Sequence, residues 1–225
     1  MRFLLLLMII LFTSLIYGQE QVKVERTLKE KVGERMENYF LKLANKRYIK
    51  QNKVLQELGF SNLQNVDSEF VFRYCTNNSI IEVVEDKGVF TGTVFFFIYG
   101  VQENGKKEMY TTKKTLSVEV CQEIKKSFDD DANRILYDKH NYDLKKTSYR
   151  TFFQNSIEFI KDGNYVFQLF PSSSRRVNYE KDRLDVFLEK VLALSNYNEI
   201  RTKFNRENPY HHYLFWNGYG VYTTH

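Results

Sequence analysis

The residues whose types could do chemistry are few and scattered. Asp129, Asp131 and Asn133 stand at the first, third and fifth positions of a calcium-loop pattern. Such a loop also needs Gly at its sixth position for the sharp turn and Glu at its twelfth to complete the coordination. Arg134 and His140 occupy those positions, so the acidic run reads instead as a helix passing into a loop. The histidines are His140, His211, His212 and His225. Adjacent side chains on a strand point to opposite faces, so His211 and His212 make a poor pair of ligands. A metal site would have to combine one of them with His225. Cys75 and Cys121 have no histidine near them in sequence and form no zinc pattern. The reading is therefore no metal and no cofactor.

Nucleophile and phosphate signatures are absent: no G-x-S-x-G, no H-E-x-x-H and no glycine-rich phosphate loop. An enzyme built on this chain would draw its acids from Asp129, Asp131 or Asp138 with His140, as a hydrolase. The richest candidate binding surface is the C-terminal tail, where Tyr210, Tyr213, Trp216, Tyr219 and Tyr222 crowd together with Phe215. Such rings can form a platform for carbohydrate or protein. They can equally close over a core as a last strand, and that is the reading preferred here. Asn77-Asn78-Ser79 matches a glycosylation sequon.

The elements that would position these groups follow from periodicity. Residues 20–58 repeat apolar side chains every three or four positions (Leu28, Val32, Met36, Phe40, Leu43), the mark of an amphipathic helix. The pattern fades over Lys46–Asn52 and resumes at Val54, predicting a break. Gly59 suits the helix end. From Glu69 the period changes to two. Strands are expected at 69–75, 80–85, 89–101 and 108–116, with turns at Asp86-Lys87-Gly88 and Asn104-Gly105. Ser117 can cap a helix running to Phe128. A hairpin over 155–170 turns at Asp162-Gly163, and helices fill 180–206.

Helix, four strands, helix, hairpin and helix is an α+β order. The expected architecture is one antiparallel sheet of about six strands, a meander plus a hairpin. The N-terminal helix (28–43) and the C-terminal helix (181–195) are expected to cover its apolar face. One domain spans 19–225: a helical arm (19–60), the meander (69–116), a helix (117–128), the hairpin (155–170), helices (180–206) and the aromatic tail (207–225).

Residues 1–18 read as an export signal. Arg2 gives the positive start, Phe3–Tyr17 the apolar run, and Gly18 a small residue before polar Gln19-Glu20. The apolar run spans about 15 residues, short of the roughly 20 that cross a bilayer as a helix. Cleavage near Gly18–Gln19 would leave a soluble periplasmic or secreted protein with no transmembrane segment. Bridged cysteines are permitted in that compartment, but two buried free thiols are the preferred reading.

Loss of Arg2 takes the formal charge from +5 to +4. Residues 20–60 hold ten Lys/Arg against six Glu, interspersed. That is a solvated helix face with i,i+4 pairing, not a nucleic-acid footprint. The abundance of Lys, Asn, Tyr, Phe and Ile beside only three alanines fits A/T-rich coding, which weakens the aromatic content as evidence for a stacking surface. The functional expectation is a non-catalytic exported domain that binds another protein, an inhibitor or immunity-type partner among the forms this could take. The alternatives are the Asp/His hydrolase and a carbohydrate-binding module built on the aromatic tail.

Overall fold

The structure, a computed structural model, describes residues 34–102, 104–135, 155–161, 163–170, 183–210, 212–215 and 220–222. The export signal, the start of the helical arm, Asp138, His140, His211, Trp216, Tyr219 and His225 lie outside the described residues.

The fold is α+β, as the sequence predicts. Helix α1 (Glu34–Glu57) leads through a 3-10 turn at Leu63–Asn65 into four strands: β1 (Phe70–Cys75), β2 (Ser79–Asp86), β3 (Val89–Val101) and β4 (Lys107–Thr115). Helix α2 (Val118–Ile135) precedes the hairpin β5 (Asn155–Lys161) and β6 (Asn164–Phe170). Helices α3 (Arg183–Leu194) and α4 (Tyr197–Glu207) are followed by two short strands, β7 (His212–Leu214) and β8 (Gly220–Tyr222).

Every strand pairing is antiparallel, and β1 to β4 lie in sequential order as a meander. The β5–β6 hairpin extends the sheet from the free edge of β1. The tail adds β7 beside the far end of β3, with β8 on its outside, so among the described residues the sheet has eight strands, against about six expected. The Asp86–Val89 turn is tight because Lys87 (φ 51°) and Gly88 (φ 73°) both sit in the left-handed region that a two-residue hairpin with the native twist requires.

Both faces of the central strands are buried, which differs from the expected single apolar face. All six residues of β1 are buried. Alternation puts Phe70, Phe72 and Tyr74 on one face with Ile81, Val83, Val94 and Phe96. There they meet α2, α3 and α4 through Cys121, Ile124, Phe128, Leu184, Phe187, Val191 and Phe204. Phe128 is the hub: its ring lies 5.0–5.8 Å from those of Phe159, Phe70 and Phe187. The opposite face carries Cys75, Ile80 and Phe97, and the second half of α1 packs there through Leu55. The N-terminal and C-terminal helices thus sandwich the sheet instead of sharing one side. A sheet covered on both sides needs apolar residues at consecutive positions, which is why β1 and β3 read as dense runs.

The expected break in α1 at Lys46–Asn52 is absent; the helix is continuous. Among its described side chains, from Asn45 onward, the buried positions are Tyr48, Gln51, Asn52 and Leu55, spaced 3, 1 and 3, an unbroken helical stripe. Two members are polar and so vanish from a hydrophobic pattern. The helix ends in a Schellman motif: Phe60 N–H donates to Leu55 O (2.8 Å) and Gly59 N–H to Gln56 O (3.0 Å), with Gly59 at φ 84°. Phe60 also packs against the apolar cluster that contains Leu55. Helix α2 outruns its expected end at Phe128 by seven residues, to Ile135. Its acids continue the helix: Lys125 sits one turn before Asp129 and pairs with it (3.6 Å), and Lys161 of β5 reaches Asp129 as well (2.7 Å).

Candidate functional site

Three strands each carry one charged residue inside an otherwise apolar run: Arg73 in β1, Glu82 in β2 and Glu158 in β5. The register sets Arg73 directly opposite Glu82 on one side and Glu158 on the other. The three side chains therefore form one row across the sheet, on the face that α1 covers. Arg73 and Glu158 are fully buried.

The row is closely bonded. Arg73 Nε donates to Glu82 Oε2 (2.6 Å), and Arg73 Nη2 pairs with the same oxygen. Nη2 also donates to the Ser61 carbonyl (2.9 Å), tying the segment after α1 onto the sheet, and Phe60 lies 5.6 Å from the guanidinium carbon. Nη1 lies 3.7 Å from Glu158 Oε2 without a hydrogen bond. Glu158 instead accepts from Gln51 Nε2 (2.9 Å) and from the Tyr165 hydroxyl (3.1 Å). Ser156 donates to Gln51 Oε1 (2.9 Å). Gln51, one of the two polar members of the α1 stripe, thus serves this network.

Two carboxylates share one guanidinium. Burial pushes the Glu158 carboxyl above its usual range, and Arg73, Tyr165 and Gln51 only partly offset it. Burial alone would lower Arg73, but Glu82 and then Glu158 outweigh it, so its pKa lies above the ordinary value. The Tyr165 phenol is raised strongly by burial and by the adjacent Glu158.

Beside this row the face opens. A groove of about 570 Å³ runs between the 61–68 segment and strands β1, β2 and β3. Leu63, Val66, Val71 and Val84 make its apolar walls, and Arg73 and Glu82 line it. Asp86, Lys87, Val89 and Thr91 stand exposed around it, Val89 at 64%. Arg73 is the hinge between network and groove, since it holds both Glu82 and the Ser61 backbone that forms one bank.

The residues singled out from sequence are placed differently. Tyr210 lies against Gly100 so closely that a Cβ there would fall 2.3 Å from the ring. Tyr213 and Phe215 are half-buried, 5.7 Å apart edge to face, and pack against the main core. Pairing of β7 with β3 at Tyr99–Leu214 and Gly100–Tyr213 fixes this arrangement. Tyr222 is described by its backbone only, in β8. Among the candidate acids, Asp129 is engaged by Lys125 and Lys161, and Asp131 is described by its backbone only, within α2.

Cys75 and Cys121 are both free and buried. They lie on opposite faces of the sheet, Cys75 among the residues under α1 and Cys121 in the main core. Burial raises both thiols, Cys75 far up. Ser79 of the sequon is buried, bonded to Thr76 Oγ1 (2.6 Å) and the Tyr197 hydroxyl (2.8 Å). No group of three or more His, Cys, Asp or Glu among the described residues is placed to hold a metal ion, and no helix among them is long and apolar enough to cross a membrane. Compared with family models, curated proteins and solved structures, the chain matches none.

Proposed function

We propose that the protein acts outside the cytoplasm as a non-catalytic domain that binds another protein, and that the groove beside Arg73 receives the partner. The observation that carries this reading is the groove itself: apolar walls, a fixed ionic floor and an exposed rim on one face of a sheet whose central strands are otherwise buried on both sides. Its chemistry suits an extended segment that sets an aliphatic side chain against Val66, Val71 and Val84 and a hydrogen-bond donor toward Glu82. The Glu82 carboxylate is held in place by Arg73, so little order has to be created on binding, which favours affinity.

Affinity capture of the tagged protein from an envelope extract of its own cell tests the reading. The expected result is a stoichiometric protein partner that is lost when the groove is filled by Thr91→Trp or charged by Val89→Asp. Both positions are exposed, so the fold should tolerate the changes. The partner should remain bound to Lys203→Ala, an exposed change on α4. A partner retained by both groove variants, or turnover of an envelope polymer by the purified protein, overturns the proposal.

A further inference from the structure

The outermost strand of the meander presents a surface distinct from the groove. β4 pairs with β3 along one edge, and along the other it pairs with no strand among the described residues. Seven of its nine residues are exposed, Met109 by 44%. Which of its backbone groups are free follows from the pairing. Leu116 N–H donates to Gly92 O and Gln102 N–H to Lys106 O, each at 2.9 Å. Bonds alternate along an antiparallel pair, so the even-numbered residues of β4 bond inward to β3. Lys107, Met109, Thr111, Lys113 and Thr115 then direct their N–H and C=O groups outward.

We propose that this edge joins two copies of the chain, β4 running antiparallel to β4 of the second copy about a two-fold axis through Thr111. The two sheets then become one. A two-fold axis perpendicular to a sheet matches like faces, and outward groups meet outward groups about an axis through any residue of the strand. Centres at Tyr110 and Thr112 pair seven residues each, the former setting Lys107 against Lys113. Thr111 is the midpoint of the strand, and only this centre pairs all nine residues. A centre at Met109 or Lys113 pairs five, and the latter sets Lys113 against itself.

The Thr111 register is also the charge-complementary one. It places Glu108 opposite Lys114 of the second copy, and symmetry repeats the pair. Met109 meets Lys113, Lys107 meets Thr115, Tyr110 meets Thr112, and Thr111 meets its own copy. No lysine lies directly opposite a lysine. Edge lysines ordinarily discourage strand addition, and Lys106, Lys107, Lys113 and Lys114 would do so toward an unrelated strand. A second copy of β4 answers them with its own glutamate. Contacts of this kind are isologous and close on themselves, so the assembly stops at two.

Sedimentation equilibrium of the full chain, from low micromolar to several hundred micromolar, tests the proposal. The expected result is a monomer–dimer equilibrium. Thr111→Pro removes the central outward donor and leaves the inward ladder intact; it should give a monomer with an unchanged thermal midpoint. Lys114→Glu should raise the dissociation constant by about tenfold to a hundredfold, since two attractive pairs become repulsive. Glu108→Lys should do the same. Because Glu108 also accepts from Gln102, the Lys114 variant is the cleaner of the two. The double exchange Glu108→Lys with Lys114→Glu should restore association. A protein monomeric throughout the range, a dimer that survives Thr111→Pro, or a double exchange no tighter than the single variants overturns it.

Discussion

Replacing Arg73 by Met tests whether the buried ionic row organises the groove face. Met keeps much of the apolar stem's volume but removes the positive charge and all the guanidinium donors. In the native chain one cation serves Glu82 and the fully buried Glu158. Removing one member of a buried ion pair leaves an uncompensated buried charge, a loss of about 3–5 kcal/mol. Glu158 has an escape, because it can take up a proton, and the cost should therefore depend on pH. Burial already raises the Glu158 carboxyl, and without Arg73 it should rise further. A carboxyl raised on folding adds stability that is full below its unfolded pKa, about 4.3. That stability is lost as pH rises through the folded pKa. The penalty of Arg73→Met should thus be small near pH 4 and grow to the full value by neutral pH. Adding Glu158→Gln should remove much of the pH dependence and recover part of the loss. Urea unfolding followed by circular dichroism at several pH values measures all of this. A loss below about 1 kcal/mol at pH 7, a loss that does not change with pH, or strict additivity of the two substitutions would refute the reasoning.

Further outcomes follow from close contacts and from the chain's ends. Gly92→Ala should destabilise by about 1–3 kcal/mol, since a Cβ there falls 2.4 Å from Cys121 Sγ; Cys121→Ala in the same protein should recover part of the loss in thermal unfolding. Titration with a thiol reagent, without reductant, should find no reactive thiol in the folded protein and two after denaturation, because both cysteines are buried and free on opposite faces of the sheet. Mass spectrometry of the N-terminus from the producing cell should begin near Gln19; an intact Met1 in a membrane fraction would contradict export with cleavage.

The meander and the β5–β6 hairpin were legible because their signals are local. Gly88, Gly105 and Gly163 each sit at positive φ in the turns that sequence marks, and two-residue periodicity between them leaves little choice of pairing partner. The strands of the tail were harder, since β7 and β8 are three residues each, too short for alternation to register. The ionic row was missed for a different reason. A charge flanked by apolar residues in FVFRYC, SIIEVVED or NSIEFIK looks like the solvent side of a strand, and only the register shows that Arg73, Glu82 and Glu158 point to one face. The helix above that face made the same error natural. Gln51 and Asn52 interrupt the apolar stripe of α1, so the sequence there reads as a break. They lie at the stripe's buried positions, and Gln51 bonds to Glu158 and Ser156. A polar residue at a core position and a charge inside a strand are each a local inconsistency when taken alone. Together they are mutually consistent, because a buried Gln needs polar partners and a buried Glu needs donors. The two apparent defects in the hydrophobic pattern, one in the arm and one in the sheet, are halves of the same contact.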